Sequence, residues 1–343
     1  MIKKIVIMSA GLSLFSLSYA AENELNLYSG RHYQTDERLY SDFTKQTGIK
    51  INRIDADDNG ILERLKSEGK NSQADVVLFT DATRLWKAEL EGLFTPIKSK
   101  ILDNRIPEYL RGKDNGQGSQ WYGFSTRARV IIYNKGLLKP SDIDTYDKLA
   151  SPALKGKVCT RSGTHPYMLS LASSIVEAQG EAGALKWASG MASNLAKPPK
   201  GGDTDQIRSV ATGECAVALS NSYYYARIMR SEKPEDKDII AKTGLIWPNQ
   251  ATNGTHINIA GAGVAKYSPH KQAAVKFMEY LASDSAQKYF ADGNNEWPAV
   301  KSVKIDNPAL NKLGDFKHQT INVSALGINQ VKAQKILDKA GYK

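Results

Sequence analysis

Apolar and polar positions along the chain change period several times, and each change marks an element. The segment NELNLYSGRHY alternates up to Gly30 and predicts a strand. QTDERLYSDFTKQTG places Leu39, Tyr40 and Phe43 at helical spacing and stops at Gly48. IKINRID alternates again. NGILERLKSEG carries Ile61, Leu62 and Leu65 and stops at Gly69. ADVVLF is a continuous apolar run, the mark of a strand buried on both faces. TDATRLWKAELEGLFTPI predicts a helix capped by Thr80 or Asp81, with Gly92 near its end. Strand, helix, strand, helix, strand is the order of a parallel sheet covered by helices.

The rhythm then restarts. RARVIIYN, GKVCTRSG, CAVALSN, GLIWPN and HINIAGAGVA read as strands. TYDKLASPALKGK, HPYMLSLASSIVEAQG, GALKWASGMASNL, DTDQIRSVATGE and SYYYARIMRS carry the helices between them, and KQAAVKFMEYLASDSAQKYFADG is a long amphipathic helical region. The natural assembly is two α/β lobes, each a mixed, mostly parallel sheet flanked by helices. The 343 residues suit two domains of ordinary size. Such a pair in an exported chain points to a receptor whose lobes close on a solute at a hinge.

Export is read from the N-terminus. Lys3 and Lys4 precede the apolar stretch IVIMSAGLSLFSL, and Ser18 and Ala20 are small residues at the −3 and −1 sites. Residues 1–20 are expected to be a signal peptide cleaved after Ala20, with no cysteine there for a lipid anchor. The periplasm is the expected compartment. The formal charge of +10 falls to +8 once Lys3 and Lys4 are removed. Lys and Arg are interspersed with Asp and Glu, so the excess reads as a solvated basic surface and not as a nucleic-acid or membrane footprint. Cys159 and Cys215 each sit in a strand-like stretch. In an oxidising compartment an even count favours a disulfide; two separately buried thiols are the alternative.

The chain has no GxSxG elbow, HExxH, Walker A loop or GxGxxG fingerprint. Instead, three strand-to-helix loops carry phenols or imidazoles, where α/β sheets bind their ligands. SGRHYQTD holds His32 and Tyr33, RSGTHPYM holds His165 and Tyr167, and SNSYYYAR holds Tyr223, Tyr224 and Tyr225. Three consecutive tyrosines cannot share one face of a regular element. A sharp turn from strand to helix can aim Tyr223 and Tyr224 into one cleft while Tyr225 turns away to pack. Phenolate is a hard anionic donor and imidazole a borderline one, a set that suits Fe³⁺. A bound cation displaces the phenol protons, and helix N-termini favour the phenolate. Arg127, Arg129 and Arg227 are candidates to balance charge or hold a small anion. Each residue also has an ordinary reading: Tyr33 as a rim aromatic, His32 as a solvated side chain, Tyr167 as a helix staple, Arg127 and Arg129 as outward strand positions. His165, His256, His270 and His318 have no partner spacing and read as structural.

The segments LNLYSGRHYQTD, LERLKSEGKNSQADVVLFTDATRLWKAE, GGDTDQIRSVATGECAVALSNSYYYAR and NNEWPAV resemble the periplasmic ferric-ion-binding receptors of bacterial iron ABC transporters, and the likeness covers nearly all of the chain after the leader. The resemblance implies a two-lobed periplasmic binding protein fold (type II-like) with the ligand cleft at the hinge. It implies lobes of residues 21–126 plus 254–303 and 127–253 plus 304–343. It implies a metal site of His32, Tyr33, Tyr167, Tyr223 and Tyr224, with Tyr225 outside it. The expected function is capture of Fe³⁺ as a transported ligand, with carbonate as a candidate synergistic anion, by a non-enzymatic monomer that serves an inner-membrane permease. The alternative is a receptor for thiamine, a polyamine or a phosphonate on the same fold. An exported hydrolase or redox enzyme, and an adhesin, are rivals from other classes.

Overall fold

The computed structural model describes residues 23–31 and 33–343; the leader, its cleavage site and His32 lie outside the described residues. The strands are β1 (Glu24–Ser29), β2 (Lys50–Asp55), β3 (Val76–Phe79), β4 (Phe94–Thr95), β5 (Tyr122–Asn134), β6 (Val158–Cys159), β7 (Val217–Asn221), β8 (Thr243–Ile246), β9 (Ile257–Ala265) and β10 (Trp297–Pro298). They form one hydrogen-bonded network in the order β2-β1-β3-β9-β5-β7-β6, with β4 on β9 and both β8 and β10 on β5. The pairs β1–β2, β1–β3 and β6–β7 are parallel. The ladders of β5 with β7, β8, β9 and β10 are antiparallel. The expectation of mostly parallel sheets therefore holds in the flanks and gives way where β5 and β9 run side by side. Alternating patterns do not encode strand direction; the returns of the chain do.

Two cores lie at the two ends of this network. Leu25 and Leu27 of β1 and all of β3 pack with Leu39 and Phe43 of the helix Glu37–Thr47 and with Phe277 of Lys271–Leu281. Phe43 meets Phe277 edge-on, ring centroids 5.0 Å apart. In the other core Ile131 of β5, Val158, Val217 and Leu219 pack against Met168, Leu171 and Trp187 of the helix Pro166–Ser193 and against Leu337. One helical prediction holds and one changes shape. The segments HPYMLSLASSIVEAQG and GALKWASGMASNL are two helical stretches, as their separate reading predicts, divided by a non-helical kink at Gly180, where φ is 70°. The region from 271 to 294 breaks in two because Ser283 accepts a hydrogen bond from Ala286 N and starts a new helix, Asp284–Asn294. Asp81, not Thr80, caps the helix Ala82–Leu90, accepting from Thr83 N at 2.8 Å. Among the described residues no helix is long and apolar enough to cross a membrane.

Cys159 and Cys215 are joined, with Cα atoms 5.9 Å apart and 56 positions between them in sequence. Cys159 ends β6, and Cys215 lies two residues before β7, its parallel neighbour. A crosslink closing a loop of this length stabilises by about 4 kcal/mol in the chain-entropy account. Reduction with dithiothreitol is expected to lower the urea midpoint of the metal-free chain by an amount corresponding to about 2–4 kcal/mol. An unchanged midpoint after complete reduction would show that the bridge adds nothing to stability.

Candidate metal-binding cleft

The candidate residues sit where β1, β6 and β7 end. After β1 the chain turns at Gly30, whose N–H donates to Leu78 O at 2.8 Å. A Cβ on Gly30 would lie 1.7 Å from Asp58 Oδ1, so any other residue there would have to displace the Asp58 carboxylate that holds Thr80. Arg31 follows, buried between Asp36 and Glu296, and its guanidinium lies 5.0 Å from the Tyr33 ring centroid. After β6 the chain reaches His165, whose Nδ1 accepts from Tyr167 N at 3.2 Å and so caps the helix that Pro166 opens. Burial, with Arg161 and Arg129 adding, pushes the His165 imidazole down to about 3, which keeps that lone pair free for the cap. After β7 the helix Ser222–Met229 starts at once. Ser222 Oγ accepts from Ala128 N at 3.2 Å, which fixes this turn to β5.

This start brings phenols together. The hydroxyls of Tyr167 and Tyr223 are 2.9 Å apart. The rings of Tyr223 and Tyr224 are 4.3 Å apart, tilted by 32°. Tyr33 lies near enough to interact electrostatically with Tyr224, Tyr223 and Tyr167. Tyr225 points elsewhere and donates to Thr243 O at 3.1 Å. Burial raises the phenols of Tyr33, Tyr167 and Tyr223 above the usual range. Glu296 adds to the rise at Tyr33, and the neighbouring phenols add at Tyr167 and Tyr223. Arg127 opposes all three.

Positive charge surrounds the cluster. Arg161, Arg129 and Arg127 lie 5.3, 5.7 and 6.0 Å from the Tyr167 ring centroid, and Arg227 lies 5.6 Å from that of Tyr224. Their situations differ. Arg227 is exposed. Arg129 is buried and paired with Asp203, Nη1 to Oδ2 at 2.6 Å, with Asn221 Oδ1 at 3.1 Å, and its Nε has no partner among the described residues. Arg127 is buried too, bonded to Thr80 O and 3.8 Å from Asp81, but its Nη1 has no partner among the described residues. A cavity about the size of one water lies beside it, lined by Arg129, Tyr167, Ser170, Asn221, His256 and Asn258. His256 donates or accepts at Ser170 Oγ, 2.9 Å away, and His270 reaches Asp75 at 2.9 Å.

The structure thus gathers Tyr33, Tyr167, Tyr223 and Tyr224 with Arg127 and Arg129, and leaves Arg227 at the rim. It adds Arg31, Glu296, Asp81, Asp203 and Arg161, which no local pattern marks. Arg31, Asp81, Asp203 and Glu296 lie within the segments that carry the family resemblance, Arg161 outside them, and no spacing singles any of them out as part of the site. Among the described residues no group of three His, Cys, Asp or Glu side chains is placed to hold a metal ion.

The chain is similar in sequence and fold to several known proteins. The chain is 46% identical over 322 residues to iron uptake protein A1 of Synechocystis, covering 94% of this chain and 88% of that protein. It superposes with a TM-score of 0.88 on the Trichodesmium IdiA/FutA protein in complex with iron and citrate, at 48% identity, covering 93% of this chain and 100% of that one. A ferric binding protein from Campylobacter jejuni gives a TM-score of 0.85 at 39% identity, covering 93% of this chain and 100% of that one. The two-lobed fold of these proteins is the fold of this chain. Residues 38–317 match the family described as bacterial extracellular solute-binding protein, and the chain belongs to that family.

Proposed function

We propose that this protein binds Fe³⁺ in the cleft and carries it, as cargo, to an inner-membrane ABC permease. The observation that supports this most directly is the convergence of four phenols from three strand ends, two of them with hydroxyls 2.9 Å apart, inside a ring of guanidinium groups. Phenols as buried as those of Tyr33, Tyr167 and Tyr223 are poor acids by themselves. They make sense as donors to a hard cation that removes their protons. The relatives named for iron uptake and ferric binding support the same cargo.

In this reading Tyr33, Tyr167, Tyr223 and Tyr224 bind as phenolates, with His32 as the fifth donor. The lobes are residues 21–126 plus 254–303 and 127–253 plus 304–343, and iron draws them together. Arg127, with an unused Nη1, is the residue that offsets the phenolate charge or takes a small anion such as carbonate. Arg129, already neutralised by Asp203, positions Tyr167 instead. The protein is a monomeric, non-enzymatic receptor of the periplasm, released from its leader after Ala20.

The sign of the pH dependence follows from the raised phenols. They are protonated at neutral pH without a cation, so binding releases one proton for each tyrosine that coordinates. Affinity therefore falls as pH falls. Titration with Fe³⁺, followed by visible absorbance and by proton release in weak buffer, tests this. The expected result is a phenolate-to-iron band that grows to one equivalent and bleaches on acidification. A colourless titration with no proton release would refute the reading and favour an organic solute.

A further inference from the structure

Arg31 immediately precedes the predicted donors His32 and Tyr33, yet its side chain never reaches solvent. Its Nε and Nη2 donate to the two carboxylate oxygens of Asp36, at 2.8 and 3.2 Å, and its Nη1 donates to Glu296 Oε2 at 2.8 Å. The plane so fixed lies against the Tyr33 ring, 5.0 Å away, and against the Phe290 ring at 5.1 Å. Glu296 comes from 265 positions further along the chain. The same Glu296 oxygen accepts from Ser125 Oγ of β5 at 2.9 Å. The next two residues, Trp297 and Pro298, pair with Thr126 and Ser125 of that strand. Asn294 grips the far end of the loop, donating to Asp36 at 2.8 Å and accepting from Thr35 Oγ1 at 2.8 Å.

A buried arginine between two carboxylates is weak as a source of stability, because desolvation cancels most of the attraction. It is strong as a fixture, because the planar guanidinium accepts only a few arrangements of its partners. We propose that Glu296 is a positioning residue for Tyr33. It locks Arg31 as the platform under the Tyr33 ring and ties that platform to β5, the strand that also carries Arg127 and Arg129. The inference rests on the reading of Tyr33 as an iron donor. Residues that orient a metal donor from behind typically cost about 10–100-fold in metal affinity when lost.

The test is Fe³⁺ binding by the full mature chain in competition with citrate, with the visible band recorded per bound iron. Wild type, Tyr33→Phe, Glu296→Ala, Glu296→Gln and the double Tyr33→Phe/Glu296→Ala are compared. Glu296→Ala is expected to bind about 10–100-fold more weakly, with its band moved toward that of Tyr33→Phe. Glu296→Gln keeps the acceptor for Arg31 and Ser125 and recovers most of both. The double variant binds no more weakly than Tyr33→Phe, since the two changes remove one donor between them. Wild-type band and affinity in Glu296→Ala, or losses that multiply in the double, would overturn the proposal. If Glu296→Ala does not fold, Ser125→Ala replaces it: a smaller loss in the same direction supports the role, and none overturns it. A colourless wild type sinks the iron reading itself and this inference with it; a coloured wild type with an indifferent Glu296→Ala sinks only the inference.

Discussion

The double variant Tyr223→Phe/Tyr224→Phe is expected to lose the visible iron band and to bind Fe³⁺ too weakly to compete with citrate. Each single change removes an oxygen donor outright. The loss per residue should therefore exceed the about 10–100-fold seen when a residue behind a donor is removed. The two effects have one structural origin. Both rings occupy the first turn of the helix Ser222–Met229, 4.3 Å apart, and Tyr223 also meets the Tyr167 hydroxyl. Removing a phenol oxygen leaves the ring packing in place, so the metal-free variants should melt within a few degrees of wild type. Tyr225→Phe is the internal control. It deletes a hydrogen bond to Thr243 O, about 1 kcal/mol of stability, and leaves iron binding unchanged. A double variant that keeps the band and the affinity would remove these tyrosines from the site.

The largest loss of stability is expected from Asp203→Ala. Asp203 is fully buried and is bonded to Arg129 at 2.6 Å and to the Asn221 backbone N–H at 2.6 Å. Among the described residues, Arg161 is the other cation within 4 Å of it, at 3.9 Å. Taking the carboxylate away leaves Arg129 charged, 2% exposed and with Asn221 Oδ1 as its remaining oxygen partner. Breaking a buried pair in this way costs about 3–5 kcal/mol, read as a fall in the urea midpoint. Because Asn221 directly precedes Ser222, the start of the tyrosine-bearing helix loosens as well, and iron affinity drops with stability. Replacing both partners, Arg129→Leu/Asp203→Leu, should cost less than the two single changes added together. A midpoint for Asp203→Ala within about 0.5 kcal/mol of wild type would show that the pair is not held as described.

Much of this was legible in the residues. The run ADVVLF announced a buried strand and β3 is one. The three loops with phenols fall at the ends of β1, β6 and β7, because hydrophobic periodicity places strands well and ligand loops follow from strand ends. The turn from strand to helix is a local geometric fact, and it separates Tyr225 from Tyr223 and Tyr224 as the triplet predicts. Glu296 and Asp203 were not legible in the same way. Their partners lie 265 and 74 positions away, and a lone acidic residue carries no sign of the cation it will meet. Gly180 reads as the end of one helix, and it is the non-helical kink that separates two helical stretches, whose apolar faces pack on the same core. The antiparallel course of β5 and β9 was equally invisible, since alternation reads the same in either direction.

β5 has 13 residues, and its ladders reach β9 and β10 at one end and β7 and β8 at the other. Neither half of the molecule owns a finished sheet, because each borrows the same strand. A break in the chain between residues 122 and 134 would leave raw sheet edges on both fragments, open to self-association. β5 is thus a weld between the two halves, and urea should dismantle both in a single step.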